Sequence, residues 1–271
     1  MSRRLLIALL AGVPLLLLVI GVVWTTRSPA LPGTLPPPRN PALPDLAMSP
    51  LTEISASEVV EGGERLVAFT ATIANVGFGP LRVHAVRADE RAKWRVSQRF
   101  DEADGSLSET VTDGTMVWGG HGHDHWHVEL GTSYWLTRPE STERLRRFPK
   151  VGYCFFDQGR LRNPPPTAST TRRFPKNGCS RRDALEVEMG LTPGWADPYQ
   201  WTLPDQQILV TGLADGVYRL WADADPGDWF REGNEENNVT WVDLRLTTSS
   251  SPPRVAVLRR GVAGASAVVI R

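Results

Sequence analysis

Alternation with a period of two runs through most of this chain, and helical periodicity is poor. The run Arg65–Ala74 reads as a strand, followed by turn chemistry in Asn75-Val-Gly77-Phe-Gly79-Pro80 and a second strand over Leu81–Val86. Further strands are expected over Gln207–Leu213, Gly216–Asp223 and Thr240–Leu246. They are separated by Ala214-Asp215-Gly216 and by the acidic, Asn-rich stretch Asp225–Asn238. Ser141–Arg147 is the best short helix candidate, and Asn163–Pro198 reads as a long irregular loop of the functional kind. Many short strands at this spacing predict a mainly β fold, a β-sandwich with long irregular loops.

The two ends of the chain set the compartment and the limits of the domain. Arg3 and Arg4 precede an apolar run from Leu5 to Trp24, long enough to cross a bilayer and without a small-x-small cleavage site behind it. Residues 1–27 are therefore expected to be a signal-anchor with its basic end inside, or otherwise a cleaved signal peptide. In either case the domain is exported to the cell surface or secreted. Residues 28–50 contain Pro36-Pro37-Pro38 and read as a stiff linker. The folded part is expected over 51–246 and a tail over 247–271, which either adds an edge strand or stays disordered. Cys154 and Cys179 are the only cysteines. In an oxidising compartment they predict one disulfide worth about 3 kcal/mol, with two unpaired buried thiols as the alternative. Formal net charge is zero, which supplies no electrostatic case for nucleic acid.

Four of the five histidines lie within seven residues, at 121, 123, 125 and 127. On a strand all four would project from one face, with neighbouring Cα atoms about 7 Å apart. Imidazole suits copper, zinc, nickel or iron, and three same-face rings can share one ion if the backbone bends. Gly119, Gly120 and Gly122 leave it free to do so. A closed structural zinc site would usually add cysteine ligands, so three imidazoles with an open position point to reactive chemistry. The competing reading is an exposed His-rich strand that picks up metal adventitiously.

At this point the residues resemble the lysyl oxidases. His123-Asp-His125-Trp-His127 resembles the family's copper-binding His-x-His-x-His. Phe148-Pro149-Lys150-Val-Gly-Tyr153-Cys154-Phe-Phe-Asp157 resembles the segment in which the cofactor lysine precedes a cysteine by four residues. Gly190-Leu-Thr-Pro193-Gly194-Trp-Ala-Asp197-Pro-Tyr199 is similar to the segment that ends in the cofactor tyrosine. Glu232-Gly-Asn-Glu-Glu-Asn237-Asn238-Val239 resembles the acidic Asn-Asn-Val stretch near the end of the family's domain.

The resemblance implies copper on His123, His125 and His127, and a lysine tyrosylquinone built from Lys150 and Tyr199. It implies oxidation of peptidyl lysine or another primary amine by molecular oxygen, releasing aldehyde, hydrogen peroxide and ammonia. Asp197 is then the candidate general base, with a turn-capping role before Pro198 as its alternative. Lys176, in Phe174-Pro175-Lys176-Asn-Gly-Cys179, is a rival for the cross-link. His121 receives no role, and Trp118, Trp126, Trp195 and Trp201 read as core aromatics. An exported copper-binding module without catalysis is the runner-up, and an adhesive surface domain the third reading. A copper carrier needs neither Lys150 nor Tyr199.

Overall fold

The structure is a computed structural model and describes residues 35–36, 41–59, 62–119, 123–149 and 152–263. The expected anchor over 1–27 lies outside the described residues. No helix among the described residues is long and apolar enough to cross a membrane.

The fold is mainly β. In chain order come β1 (Leu46–Met48), β2 (Thr52–Glu58), β3 (Arg65–Asn75), β4 (Leu81–Val86), β5 (Arg95–Asp101) and β6 (Leu107–Val111). Then follow β7 (Met116–Trp118), β8 (Trp126–Val128), β9 (Thr132–Thr137), β10 (Arg146–Pro149) and β11 (Gly159–Arg160). A 3-10 turn, Lys176–Cys179, precedes β12 (Glu186–Leu191), β13 (Trp195–Tyr199) and β14 (Gln207–Leu209). β15 (Gly216–Ala224), β16 (Val239–Thr247) and β17 (Arg254–Ala263) complete the described chain.

β3 is the hub. It pairs antiparallel with β1, β2, β13 and β14, and β11 extends the sheet beyond β13. Covered so completely, β3 buries every residue from Leu66 to Asn75, which explains a nearly unbroken apolar run in place of alternation. β15 shows the opposite pattern: Tyr218, Leu220, Ala222 and Ala224 point inward and their neighbours are half-exposed. It sits at the centre of a five-stranded sheet ordered β10-β9-β15-β16-β17. A four-stranded sheet, β12-β4-β5-β6, and the β7-β8 hairpin complete the set. The rings of Phe69 on β3 and Tyr134 on β9 meet edge to face at 4.8 Å between centroids, joining the two largest sheets in one apolar core.

Three expectations need correcting. Ser141–Arg147 is not helical: the Leu145 amide donates to the Leu136 carbonyl (2.8 Å), and β10 then returns along β9. Pro139 and Pro149 bracket a segment too short for a helix to repay its nucleation. Asn163–Pro198 is not irregular throughout: it holds the 3-10 turn, and from Glu186 onward β12 and β13 occupy most of it. The histidines do not share one strand, because β8 includes His127 alone. Of the two options for the tail, Arg254–Ala263 takes the edge strand, paired along the length of β16. β1 and β17 both lie outside the 51–246 limits and are both paired into sheets.

Cys154 and Cys179 form a disulfide, fully buried, across 25 residues of sequence. It ties the 3-10 turn to the segment beside Tyr199, whose hydroxyl accepts a hydrogen bond from the Cys154 amide at 3.0 Å. Replacing both cysteines with Ser is expected to destabilise the domain by about 3 kcal/mol, the loop-closure entropy returned to the unfolded chain. Urea denaturation of the oxidised wild type against the double variant measures it; equal midpoints would contradict it.

Candidate functional site

The histidine motif folds as a bend followed by a short strand. The His125 amide donates to the His123 carbonyl (2.8 Å), and the Gly119 amide donates to the His125 carbonyl (3.0 Å). This bend turns His123 and His125 back toward His127. Gly119 is required there: a Cβ on it would meet the His123 carbonyl oxygen at 2.3 Å and His127 Cε1 at 2.6 Å. One donor nitrogen from each of the three rings lies within 4.8 Å of the others. The closest pair, Nε2 of His125 and of His127, is 3.1 Å apart. Two nitrogens each about 2 Å from one ion lie about 3–4 Å apart, so small ring rotations would let the three share it. His123 and His127 are buried and His125 is half-buried. His121 lies outside the described residues.

Tyr199 closes one side of this cluster. Its ring is 3% exposed and lies parallel to that of His123, at 6.4 Å and 6°. Tyr153 stacks against it at 4.1 Å, and the Tyr153 hydroxyl donates to the Asp197 carbonyl at 2.6 Å. Burial, with the Asp197 charge adding to it, holds the phenols of Tyr199 and Tyr153 well above the usual tyrosine range. β13 brings Asp197 and Tyr199 to the site through its register with β3, Asp197 opposite Ile73 and Tyr199 opposite Ala71.

A pocket of about 170 Å³ opens over these groups, lined by His123, His125, Lys176, Asp197 and Tyr199 together with Phe156, Gln158, Pro198, Gln200 and Leu203. Of the expected site residues, it unites Asp197, Tyr199 and two of the three histidines, and Asp197 is fully buried in its wall. Lys150 lies outside the described residues, whereas its rival Lys176 lines the pocket. Tyr153 and Phe156 stand in the Phe148–Asp157 segment with no role expected of them, and Gln158 lies just beyond it. Their part in the site follows from Cys154, since a chain pinned beside Tyr199 sets its neighbours there too. Trp126 and Trp195 are buried as core aromatics, while Trp201 is exposed and does not line the pocket.

Asp157 organises the loop behind the pocket. Fully buried, it accepts hydrogen bonds from the amides of Arg173 (2.8 Å), Phe174 (3.0 Å) and Thr192 (2.8 Å), and from the Thr192 hydroxyl (2.6 Å). This carboxylate fixes the approach of the chain to Lys176 on one side and to β13 on the other.

A second polar group lies apart from the histidines. Burial raises Glu232 to about 9, Asp223 to about 7 and Asp225 to about 6; it also raises Asp45, which accepts from Asn237 at 2.6 Å. Glu232 accepts a hydrogen bond from the Leu46 amide, joining the Asn-Asn-Val stretch to β1. Each of these carboxyls holds its proton to higher pH in the folded chain than in the unfolded one, so stability falls as pH rises through that window. His84, lowered by burial, destabilises only below about 6.5, and Asp101 and Asp243, lowered by arginine partners that outweigh burial, act only near pH 4. Between pH 7 and 9, in chelator so that no cation competes with protons, the melting temperature is expected to drop on the order of 5 °C. A flat or rising profile over that range would contradict it.

Compared with family models and with curated proteins, the chain matches none.

Proposed function

We propose that this chain is an exported copper amine oxidase that oxidises peptidyl lysine or other primary amines to aldehydes, releasing hydrogen peroxide and ammonia. The observation that supports it best is one pocket lined by Tyr199, Asp197 and two members of a three-histidine cluster. A copper carrier has no use for a buried tyrosine and carboxylate in the wall of its metal pocket.

In this reading His123, His125 and His127 would hold copper. Copper, when bound, supplies one-electron and oxygen chemistry, and the quinone derived from Tyr199 and Lys150 supplies the electron sink for amine oxidation. The chain's own residues do the rest. The Cys154 amide and the Tyr153 ring fix the orientation of Tyr199. Phe156, Pro198 and Leu203 form an apolar wall that excludes water from the amine carbon. Asp197 takes the α-proton, and its burial beside the ring strengthens that role in a low dielectric. Gln158 and Gln200 offer amide groups that orient the substrate at the mouth.

The same reading takes the stacked sheets as a β-sandwich, supported by the packing of Phe69 on Tyr134, and residues 1–27 as the membrane anchor. Its test is amine-dependent peroxide release by full-length protein incubated with copper in air, with phenylhydrazine as a carbonyl-directed inhibitor. Peroxide release that phenylhydrazine abolishes is expected. Copper-loaded protein that releases no peroxide with any primary amine would leave the copper-binding module as the account.

A further inference from the structure

Next to the candidate site runs a second concavity of about 450 Å³, lined by Gln158, Arg160, Leu161, Arg162, Pro164 and Trp195. Gln158 lines both, so the two are adjacent. Trp195 lines it, and the guanidinium groups of Arg160 and Arg172 lie 5.8 and 5.5 Å from its ring centroid. Arg160, Arg162, Arg172 and the pocket residue Lys176 are all exposed. Among the described residues none of the four forms an ion pair, whereas neighbouring Arg173 is taken up by Asp101 at 2.5 Å. A chain of zero net charge therefore gathers four cations without an ion pair among the described residues beside its candidate site: Arg160 and Arg162 in the second concavity, Arg172 over Trp195, and Lys176 in the pocket.

We propose that this rim docks an acidic peptide segment whose neighbouring lysine enters the pocket; this rests on the amine-oxidase reading and narrows its substrate class. A guanidinium on an aromatic face keeps its N–H edge for a carboxylate, and loses little freedom when it binds one in a bidentate fork. The spacing suits a peptide. β13 runs from Trp195 under the arginines to Tyr199 in the pocket, four steps of about 3.3 Å, or about 13 Å. Three or four residues of extended peptide cover that span, which places the acidic side chain two to four positions from the oxidised lysine. Register fixes the geometry, with Arg160 opposite Trp195 on the paired strands β11 and β13. A nucleic acid or an anionic bilayer would meet the same cations, but neither the groove nor the net charge supplies the extended basic face they use.

The test uses full-length, copper-loaded protein with three peptides that carry one lysine flanked at the third position on both sides by Glu, Gln or Arg. n-Butylamine serves as a small substrate, and anisotropy of a labelled Glu-rich, lysine-free peptide reads binding without turnover. The Glu peptide is expected to have about five- to tenfold higher kcat/KM than the Gln peptide at low salt, a gap that closes at high ionic strength. In Arg160→Glu/Arg172→Glu, with its melting temperature unchanged, the ratio should fall to one or below. Butylamine oxidation with no preference among the peptides would overturn the docking proposal and leave the oxidase standing. Salt-sensitive binding of the labelled peptide without oxidation of any amine would sink the oxidase and keep the acidic-peptide surface. Tighter binding of single-stranded DNA or phosphatidylglycerol vesicles than of the peptide would overturn the choice of partner.

Discussion

Tyr199→Phe is expected to abolish amine oxidation while copper still binds. Phe fills the same buried space and keeps the ring contacts with Tyr153 and His123. What it lacks is the phenol oxygen, without which no quinone forms. The loss leaves the Cys154 amide without its acceptor, a cost of about 1 kcal/mol, so the variant should melt only a few degrees lower. Copper affinity is expected to stay within about threefold of wild type, a change below 1 kcal/mol. Copper titration and peroxide release on the same preparation check both halves. Residual turnover at a tenth of wild type or more would show that Tyr199 is not the source of the electron sink.

His127→Ala is the complementary change, expected to remove copper and turnover together. His127 is the strand-borne member of the cluster, 4% exposed, with its Nε2 3.1 Å from that of His125. Losing a group that merely orients a ligand costs roughly 10- to 100-fold in metal affinity, and losing a ligand should cost more. The fifth histidine, His84, is buried on β4 and bonded to Glu186 at 2.8 Å, within the four-stranded sheet. His84→Gln should therefore leave copper affinity unchanged. Competition with a chromophoric chelator separates the two variants; equal affinities would remove His127 from the ligand set.

The sequence announces some of this arrangement and hides the rest, for physical reasons. β4, β15 and β16 are legible because each buries one regular set of side chains, or a continuous run, between clear turn signals. β13 is not, because Trp-Ala-Asp-Pro-Tyr has a proline and a buried carboxylate where strand chemistry predicts neither. It is a strand because β3 and β11 flank it. The histidine cluster is legible as composition, but its convergence depends on a bend that Gly119 permits and that no period predicts. Asp225 and Glu232 belong to the acidic, Asn-rich stretch expected to separate two strands, and only their packing against β1 and the core makes them buried. The pocket wall is drawn from Phe156, Lys176 and Leu203, distant in sequence and joined through the Cys154–Cys179 disulfide and the register of β13.

The central claim is that copper converts this chain's own side chains into its cofactor. Peptide mass mapping tests it most directly, comparing protein matured with copper and air against protein kept metal-free. The account predicts an oxidised, cross-linked peptide joining Lys150 to Tyr199, present only after copper treatment. A link through Lys176, which lines the same pocket, would keep the chemistry and change the lysine. Both lysines and Tyr199 unmodified in fully copper-loaded protein would contradict the account and leave a copper-binding module.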